Sequence, residues 1–431
     1  MDWSSEDLRT SNNPLLASDR VGPTPPPASS HSQGGGQDMA LYYDTDHNIS
    51  DMYDPAINAN GADMDPKPHL MYWYYINGLA GTSIAIFGLI GNTVSIVILT
   101  RRTMRNSTSI LLIFMGMFDN VFLLLNLMIQ TFPFIFAVHN ICPEYIYVRQ
   151  FLFKSFYAVV HMGHTGTIYM TMLVTVERAM VVMRPLRAKY ICTRRRAVLV
   201  SLGVLVWAVI YNIPRCLEYG TQVIHQEVDP ASNLTTTEII VGKTQFAHSN
   251  FYNVHYLVYF NSVFHFILPF LVICTLNAMI VARLVSRRRN VPRNQRSNVQ
   301  AENEVKLTIM VLSLTVVFCV CQLFAAIELI IVQLEKDYKA ELGHCSEPCE
   351  AFSAFAETMT IVNSATNFLL YSIFGEKFRR ACIKYMCPFL KPAHQNGLQQ
   401  RTSQTLLTSS YRGETFQLHV TNSLENERYG T

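Results

Sequence analysis

Several charged and polar residues of this chain stand inside strongly apolar sequence. Met172 to Val176 runs straight into Glu177-Arg178, and Ala179 to Met183 then restores the apolar run before Arg184-Pro185-Leu186. In lipid an unpaired charge costs a few kcal/mol, so such a pair points to a proton path, a substrate path or a conformational switch. Arg178 keeps its proton and therefore needs a carboxylate, and Glu177 is the nearest one. Asp119 lies among Met115, Gly116, Phe118 and Val121, while Glu328 and Glu357 sit in later apolar runs. His161 and His164 lie one turn apart on one helical face, yet as a metal pair they lack a third ligand. No Ser-His-Asp order and no His-Glu-x-x-His stretch is present, so no catalytic residue is assigned and no enzyme activity is expected.

The elements that must carry these groups are apolar segments at 71 to 99, 108 to 137, the run ending at Met183, 194 to 217, 256 to 284, 307 to 334 and 353 to 374. Each can supply the roughly 20 residues that cross a bilayer core. Composition agrees: 50% of the 431 residues are hydrophobic, only 15% are charged, and 21 Tyr with 25 Phe suit interfacial belts. The net charge of +3 excludes little, but its distribution is informative. Arg101, Arg102 and Arg105 follow the first segment, Arg184 to Arg196 the third, Arg287 to Arg296 the fifth, and Lys377 to Lys384 the seventh. The positive-inside bias then places the N-terminus outside and the C-terminus in the cytosol of a multi-pass plasma-membrane protein with lipid as a partner and no nucleic acid. The predicted fold class is all-α: a seven-transmembrane helix bundle over 71–374, an extracellular arm over 1–70 and a cytoplasmic tail over 391–431, with both tails disordered by composition. The arm begins with polar, acidic sequence, so the first helix is expected to act as its own insertion signal.

Modification sites follow from this topology. Asn48 and Asn233 head sequons on the outer side, whereas the sequon at Asn106 falls in the cytosol and is expected to stay unmodified. Cys345 and Cys349 are spaced to pair with each other in an oxidising compartment. Cys142 and Cys216 lie near outer helix ends as a further candidate pair. The cysteine spacings give no zinc pattern. Cys382 and Cys387, after the basic stretch that follows the seventh segment, are palmitoylation candidates.

Landmarks recur in order along the segments: Gly91-Asn92, Asp119, Glu177-Arg178, Trp207, Pro269, and a seventh-helix ending that runs Asn363-Ser-Ala-Thr-Asn367-Phe-Leu-Leu-Tyr371. Together they resemble the rhodopsin-like (class A) G-protein-coupled receptors. Gly375-Glu-Lys-Phe-Arg379 resembles the start of that family's amphipathic surface helix, predicted here over 375–390. Departures narrow the likeness. Phe368 stands in the usual proline position, and the sixth helix reads Phe318-Cys-Val-Cys321-Gln322-Leu-Phe324 without the common Trp and Pro. Ala179 replaces an aromatic residue, and Asn277 stands where a tyrosine is common. With Gln322, the Asn363 to Phe368 pattern and the His164 to Arg178 stretch, the chain is most similar to the FMRFamide-type neuropeptide receptors of invertebrates. The family's disulfide from the outer end of the third helix to the second outer loop has neither cysteine here.

The resemblance implies site roles. Glu177, Arg178, Glu304 and Tyr371 form the G-protein switch, with Glu304 either locking Arg178 in the resting state or belonging to a solvated helix start. Asn92, Thr167, Asn363 and Asn367 surround Asp119, as a site for a sodium ion or as a neutral network. Gln130, His161, His164, Glu328 and Glu357 face a ligand pocket, unless the carboxylates pair with Arg215, Lys154 or nearby groups. The implied function is a receptor that couples an extracellular neuropeptide, amidated and arginine-containing, to a heterotrimeric G protein. The alternatives are a receptor for another peptide or small ligand, and a weakly signalling orphan receptor. A transporter would show an internal repeat with broken helices, and a channel a filter-like segment or charged rings; neither is evident.

Overall fold

The computed structural model describes residues 71–139, 141–142, 145–225, 237–290, 299–338 and 347–386. Asn48, Asn233, Cys345 and Cys387 lie outside these residues, and so does the side chain of Glu304. Among the described residues seven long helices form one bundle. They are α1 (Trp73–Leu99), α2 (Ser107–Phe136), α3 (Tyr145–Met183), α4 (Arg194–Tyr211), α5 (Phe251–Ser286), α6 (Val299–Tyr338) and α7 (Glu347–Ala365, continued as Asn367–Phe374). A shorter helix, α8 (Glu376–Met386), follows. By length and composition α1, α2, α3, α5 and α6 can cross a membrane. The other two have a shorter or more dilute apolar run: α4 opens on Arg194 to Arg196 within 18 residues, and α7 mixes Glu347, Glu350 and Glu357 with Ser, Thr and Asn.

Large apolar side chains cover much of the outside of the bundle, among them Ile90, Leu199, Val206, Leu271, Val316 and Ile373, each more than half exposed. Such a surface is a liability in water and is what a helix bundle needs in lipid, where helices satisfy most of their own backbone groups. The molecule is a multi-pass membrane protein.

The helices depart from the expected bounds where their chemistry interrupts them. The fourth segment stops at Tyr211, because Pro214 cannot donate to the helical ladder, and a short turn, Ile213–Cys216, follows. In α2, Pro133 removes a donor from the carbonyl of Ile129, just after the wide turn Leu127–Thr131. Arg149 of α3 fills that vacancy, its Nε donating to the Ile129 oxygen at 3.2 Å. Tyr145 donates to the neighbouring carbonyl of Met128 at 2.5 Å. In α5 a similar wide turn, Ser262–Ile267, precedes Pro269, and Tyr169 of α3 donates to the Phe264 carbonyl at 2.9 Å.

Close helix seams rest on small residues. A side chain at Gly88 of α1 would meet the Cβ of Ala365 in α7 at 2.6 Å, and one at Gly166 of α3 would run into the ring of Phe118 in α2. α2 packs against α1, α3, α4 and α7 and carries the buried Asp119.

The connection between α4 and α5 holds a β-hairpin that periodicity had not suggested. β1 (Tyr219–His225) pairs antiparallel with β2 (Thr237–Lys243), in register from Tyr219 with Lys243 to His225 with Thr237. Helices alternate in direction, so the α2–α3, α4–α5 and α6–α7 connections share one end of the bundle, the hairpin end. The opposite end carries α8. There Phe378 and Ala381 are buried while Arg380 and Lys384 face out, and Phe378 packs against Phe368 and Tyr371.

Candidate functional site

Three groups of buried polar side chains line up along the bundle. At the α8 end, Asn106 caps α2, its Oδ1 accepting from the Ser109 amide at 2.6 Å. That cap holds Thr108 inward, where it meets Arg178. The guanidinium Nη2 donates to Thr108 Oγ1 and lies 3.4 Å from Glu177 Oε2. Arg178 and Glu177 are each 4% exposed, so their mutual attraction acts with little screening. Thr108 had not been singled out: a threonine in the first turn of a helix reads as part of its cap, and only the packing of α2 on α3 brings it to the arginine. Tyr371 is buried nearby on α7, and a cleft is lined by Thr108, Lys306, Met310, Tyr371 and Glu376. Lys306, at the foot of α6, bonds Glu376 of α8 across 2.6 Å, and Arg380 bonds the other oxygen of the same carboxylate.

Midway along the bundle Asp119 is fully buried. Its Oδ1 accepts from Thr167 Oγ1 at 2.8 Å and its Oδ2 from Asn367 Nδ2 at 2.6 Å, so one carboxylate ties α2 to α3 and α7. Asn92 of α1 instead donates to the Ser364 carbonyl at 2.9 Å. Asn363 is buried on the same helix and makes no bond to Asp119.

At the hairpin end two walls differ in character. His164 of α3 packs against Phe122 and against His265 of α5, with ring centroids 5.4 and 4.8 Å apart. Gln322 Nε2 of α6 lies 3.0 Å from His164 Nε2, and it donates when that nitrogen carries no proton. His161 packs against Tyr157 at 4.7 Å. This wall is aromatic and carries hydrogen-bonding groups. The other wall is acidic. Glu357 of α7 accepts from Asn126 Nδ2 of α2 at 3.3 Å, and Glu328 of α6 lies beside Glu357 and Ser353. Glu350, one helical stretch further out, accepts from Trp73 Nε1 at 2.9 Å. Gln130 is half-buried, with its side-chain oxygen unbonded.

Neither Glu328 nor Glu357 forms an ion pair among the described residues. Arg215, a considered partner, is engaged elsewhere, donating to Tyr157 Oη at 3.2 Å and lying near Glu218; Lys154 is exposed. Cys142 and Cys216 are both free thiols, so that candidate bridge is absent. Cys349 is disulfide-bonded. Cys382 is half-buried against the core. His265, Asn126 and Thr108 complete these groups without having been predicted, because each touches its partner only through helix packing.

A family model described as serpentine type 7TM GPCR chemoreceptor Srw matches residues 80–388. The FMRFamide receptor of Drosophila melanogaster is 26% identical over 331 residues, a match covering 77% of this chain and 55% of that receptor. The chain thus spans about half the length of that relative. The FMRFamide peptide receptor frpr-18 of Caenorhabditis elegans is 25% identical over 343 residues, covering 77% of this chain and 74% of its own. The Allatostatin-A receptor of Bombyx mori is 25% identical over 334 residues, covering 77% and 84%.

Proposed function

Because the chain belongs to the serpentine type 7TM GPCR chemoreceptor family Srw, we propose that it is a receptor for an extracellular peptide, amidated and arginine-containing, that transmits binding to a heterotrimeric G protein. Its family is one of signalling receptors rather than enzymes. The observation that carries the ligand class is the acidic wall: Glu328 is buried and Glu357 half-buried beside it, without a counter-cation among the described residues. Two carboxylates kept that way are costly, and a guanidinium from a ligand would relieve the cost through bidentate, charge-assisted bonds. The aromatic group of His161, His164, Phe122 and His265 at the same end suits aromatic side chains and an amide. The two FMRFamide receptors among the relatives accord with such a ligand. On this reading the hairpin end faces outward, the α8 end meets the G protein in the cytosol, and Asn48 and Asn233 are glycosylated. Cys382 and Cys387 anchor the α8 region through palmitate.

At Asp119 the proposed role is to hold the resting arrangement of α2, α3 and α7. The unbonded Oδ1 of Asn92, buried in the same region, supplies an oxygen ligand suited to a hard cation such as sodium. Two donated hydrogen bonds already satisfy the carboxylate in part, and an ion would share it.

The test uses charge deletion on both sides of the contact. Screening amidated peptides by calcium or cAMP response identifies an agonist, and an analogue carrying citrulline for arginine removes its charge. Losing one partner of a desolvated pair costs about 2 to 5 kcal/mol, roughly 30-fold or more in affinity. Glu357→Gln or Glu328→Gln should weaken the native agonist by that factor, and the citrulline penalty should shrink in the mutant that removes the partner. Equal citrulline penalties in wild type and both mutants would rule the pairing out.

A further inference from the structure

The hairpin between α4 and α5 has no cysteine in either strand, and its nearest cysteine, Cys216, is a free thiol. Its root is nevertheless deeply held. Tyr219, the first residue of β1, is 7% exposed and presents its ring edge-on to Phe153 and Tyr157 of α3, with centroids 4.8 and 5.0 Å apart. Phe153 and Tyr157 are themselves 5.0 Å apart, so three rings close on one another, and Val241 of β2 packs on the same cluster.

The residue before Tyr219 adds a polar tie. Glu218 is 1% exposed, and its carboxylate accepts from the hydroxyl of Tyr252 at the start of α5. Arg215 lies between these groups, donating to Tyr157 and sitting 5.9 Å from the centre of the Tyr256 ring. Thr244 closes the base of the hairpin: its amide donates to the Glu218 carbonyl at 2.9 Å and its hydroxyl to the Leu217 carbonyl at 2.6 Å. Residues from α3, the end of α4, β1 and α5 therefore meet at one point.

We propose that Tyr219 and Glu218 are positioning residues: a buried ring cage and a carboxylate knot fix the hairpin to α3 and α5 without a covalent link, and thereby hold its root beside His161, which packs on the same Tyr157 ring. Fixing needs no knowledge of the ligand. Only its effect on ligand exit rests on the function proposed above.

The experiment measures backbone hydrogen exchange in the purified full chain in lipid nanodiscs, without ligand, over 219–225 and 237–243. Tyr219→Ala should speed exchange there at least tenfold while α1 and α2 keep their protection, and Tyr219→Phe, which keeps the ring, should match wild type. Phe153→Leu thins the cage from the α3 side and should give a smaller increase, which keeps the test available if Tyr219→Ala folds poorly. A thiol reductant should leave wild-type protection of both strands unchanged. Unchanged exchange in Tyr219→Ala and Phe153→Leu, or loss of hairpin protection on reduction of the wild type, overturns the anchor. For exit, the probe is FMRFamide, whose dissociation from Tyr219→Ala should be five- to tenfold faster than from wild type; faster exchange with unchanged dissociation overturns the effect on exit and leaves the anchor standing.

Discussion

Arg178 is the residue at which packing adds most to what its neighbours in sequence suggest. Glu177 beside it is the carboxylate any reading would choose, yet the guanidinium also donates to Thr108 of α2. A hydrogen bond to a charged group contributes about 1.5 to 3 kcal/mol. If the arrangement seen here is the resting one, Thr108→Val removes a contact that only this form makes, and ligand-free signalling should rise roughly tenfold at matched surface expression. Arg178→Ala should keep surface expression and agonist binding while abolishing signalling. Full signalling by Arg178→Ala, or a basal rate in Thr108→Val equal to wild type, would remove the switch role. Asp119 teaches a related lesson about legibility. Position along the helices nominated four amides and hydroxyls around it, and Thr167 and Asn367 do bond it, but Asn92 turns to a backbone carbonyl and Asn363 makes no bond to the carboxylate.

Between elements, the foot of α6 is joined to α8 by Lys306 and Glu376. The hydrogen bond from Lys306 is the main reason the Glu376 carboxyl titrates below its ordinary range, and Arg380 and Arg379 add to it. A carboxylate with a depressed value contributes its tie above that range and loses it only as pH falls through the lowered value. The tie is therefore expected to be insensitive to pH from about 6 to 8, since an unperturbed glutamate titrates near 4.3. The pair is partly exposed and so weak. Lys306→Ala should raise basal activity by a few-fold at most, with the charge swap Lys306→Glu/Glu376→Lys returning it toward wild type; no change in either would show that α6 is held elsewhere. Asn277 of α5 offers such a place, donating to Thr315 of α6 at 2.6 Å. At the α2–α3 seam the controlling feature is space. Gly166→Ala should lower thermal stability by about 1 to 3 kcal/mol, the usual cost of overpacking, and Phe118→Leu in the same chain should recover part of it. A melting temperature equal to wild type would mean that the helices part more easily than their contacts suggest.

At the scale of the molecule, the helices and their order were legible, because an apolar run of membrane length has few alternatives; the interruptions at Pro133 and Pro214 were not, since both lie inside runs that stay apolar. The hairpin was not, since strand residues such as Thr221, Val223 and Ile239 alternate only briefly and the register depends on where the root is held. That root brings together Phe153, Tyr157, Arg215, Glu218, Tyr219 and Tyr252, whose association no spacing rule connects. Each aromatic contact contributes about 0.5 to 1.5 kcal/mol beyond its buried area, so three of them approach the 2 to 5 kcal/mol of a native disulfide. The difference between the two lies in timing. A covalent tie can be made as soon as two thiols have emerged, whereas Glu218 must wait for Tyr252, which is synthesised 34 residues later. During insertion a chain that has emerged only as far as β2 already owns the three rings, yet its buried carboxylate and Arg215 lack the tyrosines of α5. Docking of the hairpin is thus completed only once α5 has followed it, and a nascent chain arrested before α5 should expose both strands to protease while the finished protein protects them.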